Sequence, residues 1–200
     1  MSSADRTDRV AAYFRRSAEV LAETAENAQF QQALGEITEL VVNCFRDGGK
    51  VLVAGNGGSA ADAQHIAGEF LSRLNFDRHP LPAIALTTDS SVLTAVGNDY
   101  GYERVFERQV RGLGRRGDVF IAISTSGNSP NIVAALEAAR EIGVATVGFT
   151  GNRDGAMVAL CDSVLRVPSA ETPQIQQIHI VAAHIICGEA ERSLFQAPND

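Results

Sequence analysis

Lys50-Val51-Leu52-Val53-Ala54-Gly55-Asn56-Gly57-Gly58-Ser59-Ala60 decides the fold class. An apolar run without polar alternation is a strand covered on both faces, and the glycine-rich loop after it opens into a helix. Three further runs share this texture, Ala83-Ile84-Ala85-Leu86, Val119-Phe120-Ile121-Ala122-Ile123 and Thr146-Val147-Gly148-Phe149, and a fifth, Val164-Leu165-Arg166-Val167, carries an arginine and is ended by Pro168. Helical patterns between the runs imply right-handed parallel crossovers. The expected architecture is α/β, a five-stranded parallel sheet sandwiched by helices with an N-terminal helical segment. Upstream, Val10, Phe14, Ala18, Leu21 and Ala25 recur at helical spacing, as do Phe30, Leu34, Ile37, Val41 and Phe45, so two helices break near Asn27–Phe30 and Gly48-Gly49 closes the second. Downstream, Ile175, Ile178, Val181, Ala182, Ile185 and Ile186 mark a broad apolar face on a final helix. The expectation is one domain over 1–200: helices over 1–47, a βα core over 50–168 and a C-terminal helix over 173–195.

Composition narrows the function. Of 200 residues 45% are hydrophobic and 20% charged, which is globular, and the formal charge of −7 argues against wrapping nucleic acid or an anionic membrane. The longest stretch free of Asp, Glu, Lys and Arg, Val119–Leu136, has Ser-Thr-Ser-Gly-Asn-Ser-Pro-Asn at its centre and cannot lie in hydrocarbon. Met1–Arg6 has no apolar core of a signal peptide. Cys44, Cys161 and Cys187 form no C-x-x-C, so they are expected as buried thiols in a cytoplasmic protein.

Open parallel sheets bind ligands at the C-terminal strand ends, which selects the loops to read. Gly55–Ala60 satisfies G-x-G-x-x-A, but a dinucleotide site wants an acidic residue about 20 positions on, and the first at a strand end is Asp89. A plain tight turn and a small-ligand loop are the alternatives, the latter favoured by Asn56 and Ser59. Ser124-Thr125-Ser126-Gly127-Asn128-Ser129 crowds four hydroxyls at a helix start, which suits a phosphate monoester without Lys or Arg; a helix cap would need one of them. Asn98-Asp99, a common turn pair, follows the Asp89-Ser90-Ser91 loop. His65 and Glu69 share one helix face. His184 and His179 both lie on the apolar last helix, where a lone histidine is ordinarily core. Gln176 and His184 stand about 12 Å apart along a helix. Either Gln176 belongs to an irregular lead-in after Pro173, or a second subunit completes the site.

Taken in order, Gly55–Ser59, His65-Ile66-Ala67-Gly68-Glu69, Asn98-Asp99, Ser124–Ser129 and Gln176 to His184 resemble the bacterial phosphoheptose isomerases, of the flavodoxin-like sugar isomerase (SIS) fold, over nearly the whole length. The resemblance implies aldose–ketose conversion of sedoheptulose 7-phosphate to D-glycero-D-manno-heptose 7-phosphate, toward ADP-heptose and lipopolysaccharide, by a homotetramer with sites between subunits. It implies acid/base roles for Glu69 and His184. It places Asn56, Gly57, Gly58, Glu69, Asn98, Asp99, Ser124, Thr125, Ser126, Ser129 and Gln176 around the substrate, and zinc, one per subunit, at His65, Glu69, Gln176 and His184. Gln174-Ile175-Gln176-Gln177 departs from the family's usual Arg-Ile-Gln-Glu. Gly68 stands in mid-helix at a cost of about 1 kcal/mol against Ala, which close packing would explain. Two alternatives share the fold: a non-catalytic relative that binds the replication initiator, and an SIS isomerase for another phosphosugar.

Overall fold

The computed structural model describes residues 3–195; residues 1–2 and 196–200 of the expected domain lie outside the described residues. Two helices, α1 (Ser3–Ala25) and α2 (Ala28–Arg46), lead into β1 (Val51–Gly55), α3 (Gly58–Leu71) and β2 (Ala83–Ala85). Then come α4 (Ser90–Tyr100), α5 (Glu107–Leu113), β3 (Val119–Ile123), α6 (Pro130–Glu141), β4 (Ala145–Thr150), β5 (Ser163–Arg166) and α7 (Thr172–Leu194). The sheet is all parallel in the order β2-β1-β3-β4-β5, with Val51 opposite Val119 and Val119 opposite Ala145. Strand pleating divides the core. Val51, Val53 and Ile121 face α2, α3 and α7, while Leu52, Ala54 and Phe120 face α5 and α6. β1 and β3 are buried throughout, and the edge strand β2 leaves Ile84 exposed. Among the described residues no helix is long and apolar enough to cross a membrane.

The break between α1 and α2 falls at Glu26–Asn27, because the Asn27 side chain accepts the Phe30 N–H (3.0 Å) and caps α2. The α1 stripe does not face the core: Val10, Phe14 and Leu21 are exposed, Phe14 at 70%, while Val20 and Thr24 are buried. Val181 and Ile185 on α7 are exposed as well. Among the described residues nothing covers these positions of α1 and α7.

Three local expectations are corrected. The β4–β5 crossover carries a five-residue 3-10 turn, Ala156–Leu160, in place of an α-helix, since the short span has its Gly155 backbone pressed against Gly127. Asn98 and Asp99 form the last turn of α4 and are no loop turn; the chain turns at Gly101 (φ 86°) instead. α7 starts at Thr172 with Pro173 in its first turn, where a missing N–H costs nothing, so Gln176 is helical and there is no irregular lead-in.

Gly68 has no close packing either. A Cβ there meets nothing within 4 Å, and the same holds for Gly35 on α2. Gly35→Ala and Gly68→Ala are each expected to raise stability by about 0.5–1 kcal/mol, read as the denaturant midpoint. A gain at Gly35 with none at Gly68 would mean that a second protomer rests on Gly68.

Candidate active site

The first loop is built by the end of β1. A Cβ on Gly55 would lie 2.5 Å from the Ser59 carbonyl oxygen, so the chain can turn this tightly into α3 only with glycine there. Asn56 exchanges two amide hydrogen bonds with Asn131 of α6, each 2.9 Å, and its Oδ1 also accepts from the Tyr102 hydroxyl (3.3 Å). Ser59 is buried, and the Gln176 amide reaches its hydroxyl at 3.4 Å. A Cβ on Gly58 would lie 2.7 Å from that amide, so the first turns of α3 and α7 meet at Gly58.

The second loop caps the neighbouring strand. Ser124 Oγ lies 2.9 Å from Ser129 Oγ and 3.4 Å from Ser126 Oγ, and α6 starts directly after with Pro130 in its first turn. Gly127 turns through φ 69° and is braced from behind: its carbonyl accepts from Met157 N–H (3.1 Å), and Asn128 Oδ1 accepts from Ala156 N–H (2.9 Å). The Thr125 carbonyl accepts from Gly151 N–H (3.2 Å). The hydroxyls thus crowd the N-terminus of a twelve-residue helix, a ready anion site.

The third feature brings distant segments together. His65 Nε2 lies 3.0 Å from Glu69 Oε1 and 3.0 Å from His184 Nε2. One ligand atom from each of the three residues lies within 4.8 Å of the others. Two imidazole nitrogens and a carboxylate oxygen pointing at one place cannot all be satisfied by the protons they share, whereas a cation would accept every lone pair. Ligand atoms around tetrahedral zinc stand about 3.3 Å apart, and two histidines with one glutamate leave a fourth position open, as catalytic zinc requires. The donor set fits a divalent metal.

Gln176 does not join this cluster within the chain; it stands two turns up α7 beside Ser59 and Gly58. Asn98 and Asp99 are exposed and bond to each other (2.7 Å), while Tyr102 just beyond them reaches the first loop. Asp89 caps α4 by accepting Val92 N–H (3.0 Å), which commits a carboxylate that a dinucleotide would need for its ribose. His179 is core, as expected, and bonds the Thr150 carbonyl (3.3 Å). Asp62 was missed. It lies one turn before His65 on the same face, and burial raises its carboxyl above the ordinary value while His65 pulls the other way. The i, i+3, i+7 spacing of Asp62, His65 and Glu69 was the available signal. Asn131 carried no signal, since nothing local marks its partner 75 residues away.

The chain matches the SIS domain family over residues 12–151. It is 57% identical to the phosphoheptose isomerase of Burkholderia pseudomallei (strain 1710b), over 88% of this chain and 89% of that one. Its structure superposes on a phosphoheptose isomerase from Francisella tularensis with a TM-score of 0.90 at 39% identity, covering 96% of this chain and all of that one. The phosphoheptose isomerase of Neisseria gonorrhoeae gives 0.87 at 43% identity, over 93% and 98% of the two chains. With the flavodoxin-like strand order, the hydroxyl loop and similarity along almost the full length, the chain belongs to the SIS domain family and, within it, to the phosphoheptose isomerases.

Proposed function

We propose that the protein interconverts sedoheptulose 7-phosphate and D-glycero-D-manno-heptose 7-phosphate, supplying a heptose for ADP-heptose and lipopolysaccharide-type conjugates. The observation that carries this reading is the convergence of Glu69 and His184, 115 positions apart in sequence, on one cluster with His65. Glu69 takes a proton from C1 of the ketose while His184 delivers one to the C2 oxygen, giving an enediol. Return of the first proton to C2 and loss of the O1 proton leave an aldehyde at C1. His65 engages Glu69 Oε1, so the proton transfer is assigned to Oε2. Ser124, Thr125, Ser126 and Ser129 hold the phosphate and so fix the far end of the sugar. Asn56, Gly57, Gly58, Asn98, Asp99 and Gln176 complete the substrate's surroundings. His65, Glu69 and His184 would hold zinc, which when bound supplies Lewis acidity toward the sugar carbonyl; Gln176 is given to the sugar in this scheme.

The assembly is proposed as a homotetramer in the cytoplasm. The uncovered stripes of α1 and α7 support association, and three free thiols suit a reducing compartment. The deciding experiment is a coupled assay on sedoheptulose 7-phosphate before and after chelation and again after Zn²⁺ is restored. Turnover that falls on chelation and returns with zinc is expected. Absence of turnover in zinc-loaded protein would remove the function, and turnover indifferent to chelator would remove the metal from it.

A further inference from the structure

A buried ion pair lies below the cluster. Glu191 on α7 has a fully buried side chain, and that of Arg78, in the loop between α3 and β2, is 1% exposed. The Glu191 carboxylate accepts four hydrogen bonds: Leu74 N–H (2.7 Å) and Arg78 Nε (3.1 Å) on one oxygen, Asn75 N–H (2.8 Å) and the Asn75 amide (3.1 Å) on the other. Arg78 directs three further donors at backbone carbonyls. Nη2 donates to the Glu69 carbonyl (2.8 Å), and Nη1 to the carbonyls of Phe70 (2.6 Å) and His79 (3.1 Å). These carbonyls of Glu69 and Phe70 belong to the last turn of α3, where no intrahelical donor remains for them.

We propose that Arg78 and Glu191 are positioning residues that hold α7 against α3 so that His184 meets His65 and Glu69. Arg78 grips the backbone of Glu69 itself. Glu191 lies about 10 Å beyond His184 on the same helix. Between them the loop rests directly on α7, since a Cβ on Gly188 would come within 3.1 Å of the Asn75 amide. At the other end of the helix pair the contact is the weaker 3.4 Å bond from Gln176 to Ser59. A buried ion pair is a poor way to gain stability compared with well-packed apolar side chains, but a fork that bonds the carboxylate of one helix and the terminal carbonyls of another fixes their relative place. The proposal rests on the cluster's assigned role as metal and proton-transfer site.

The test compares wild type, Arg78→Lys, Glu191→Gln and a remote core variant, Ile37→Val, at a temperature where each is folded by circular dichroism. Zn²⁺ affinity is measured by competition with a chromophoric chelator, and kcat and KM on sedoheptulose 7-phosphate separately. Both clamp variants are expected to bind Zn²⁺ about tenfold to a hundredfold more weakly, with kcat reduced and KM little changed, while Ile37→Val lowers the melting temperature and leaves Zn²⁺ affinity as in wild type. If either clamp variant does not fold, Asn75→Ala removes one of the four donors to Glu191 and should weaken Zn²⁺ in the same direction by less. Zn²⁺ affinity unchanged in the folded clamp variants overturns the proposal, and so does a wild type that takes up no Zn²⁺. Wild type that binds Zn²⁺ but leaves the heptulose phosphate untouched removes the functional reading and, if the variants still weaken Zn²⁺, leaves the clamp standing.

Discussion

Glu69→Gln is expected to lower kcat on sedoheptulose 7-phosphate by about 10²–10⁴-fold, the span a positioned acid or base contributes, and His184→Ala by at least as much. The amide keeps the volume and an acceptor for His65 but cannot take a proton from carbon. Neither side chain belongs to the fully buried core, Glu69 being half-buried between α3 and α7, so circular dichroism and the unfolding midpoint should change little. His65→Ala separates the two duties of the cluster. It removes a metal donor and leaves both proton-transfer groups, so a loss smaller than that of Glu69→Gln assigns the difference to proton transfer. Metal content is measured on each variant alongside the kinetics. Wild-type turnover by Glu69→Gln would take the carboxylate out of the mechanism.

The strands were legible because residues such as Val51–Ala54 and Val119–Ile123 are covered on both faces, and a run of that kind has few other uses. Once they were parallel, the position of the two ligand loops followed. The convergence of His184 on His65 was not a matter of spacing. It depends on how α7 lies along α3, and resemblance to a family supplied it before packing could. The α1 stripe was legible as a helix but not as an interface, because periodicity reports that a face is apolar and is silent on what covers it. Gly68 misled for a related reason: an expensive residue suggests close packing, yet its surroundings within one chain are empty. Long-range polar pairs, Asn56 with Asn131 and Arg78 with Glu191, leave no local trace at all, since each partner reads alone as an ordinary surface residue.

Acid should destabilise the fold in two separate windows, and His179 governs the upper one. It is 1% exposed on α7; Nε2 bonds the Thr150 carbonyl, and Nδ1 has no hydrogen-bond partner among the described residues. Burial pushes its pKa down to about 4, against a small upward pull from that carbonyl. The unfolded chain therefore binds the proton more readily than the folded one. Stability is complete above the ordinary histidine value near 6.5 and drains as pH falls toward 4, by about 2 kcal/mol between pH 7 and pH 5 and about 3 kcal/mol in all. Glu191 acts lower down. Burial alone would raise its carboxyl, but the Leu74 and Asn75 donors and Arg78 outweigh that and hold it below the ordinary range, so its contribution is lost only as pH falls beneath about 4.5. The windows are resolved with His179→Leu, which keeps the bulk, removes the titration and leaves the Thr150 carbonyl its bond from Val167 N–H (3.0 Å). Guanidinium midpoints at fixed protein concentration should fall from pH 7 to pH 5 in wild type and fall much less in His179→Leu, with both proteins losing stability alike once the pH is below 4. Equal slopes from pH 7 to pH 5 in the two proteins would show that this imidazole is not the buried neutral group its surroundings require.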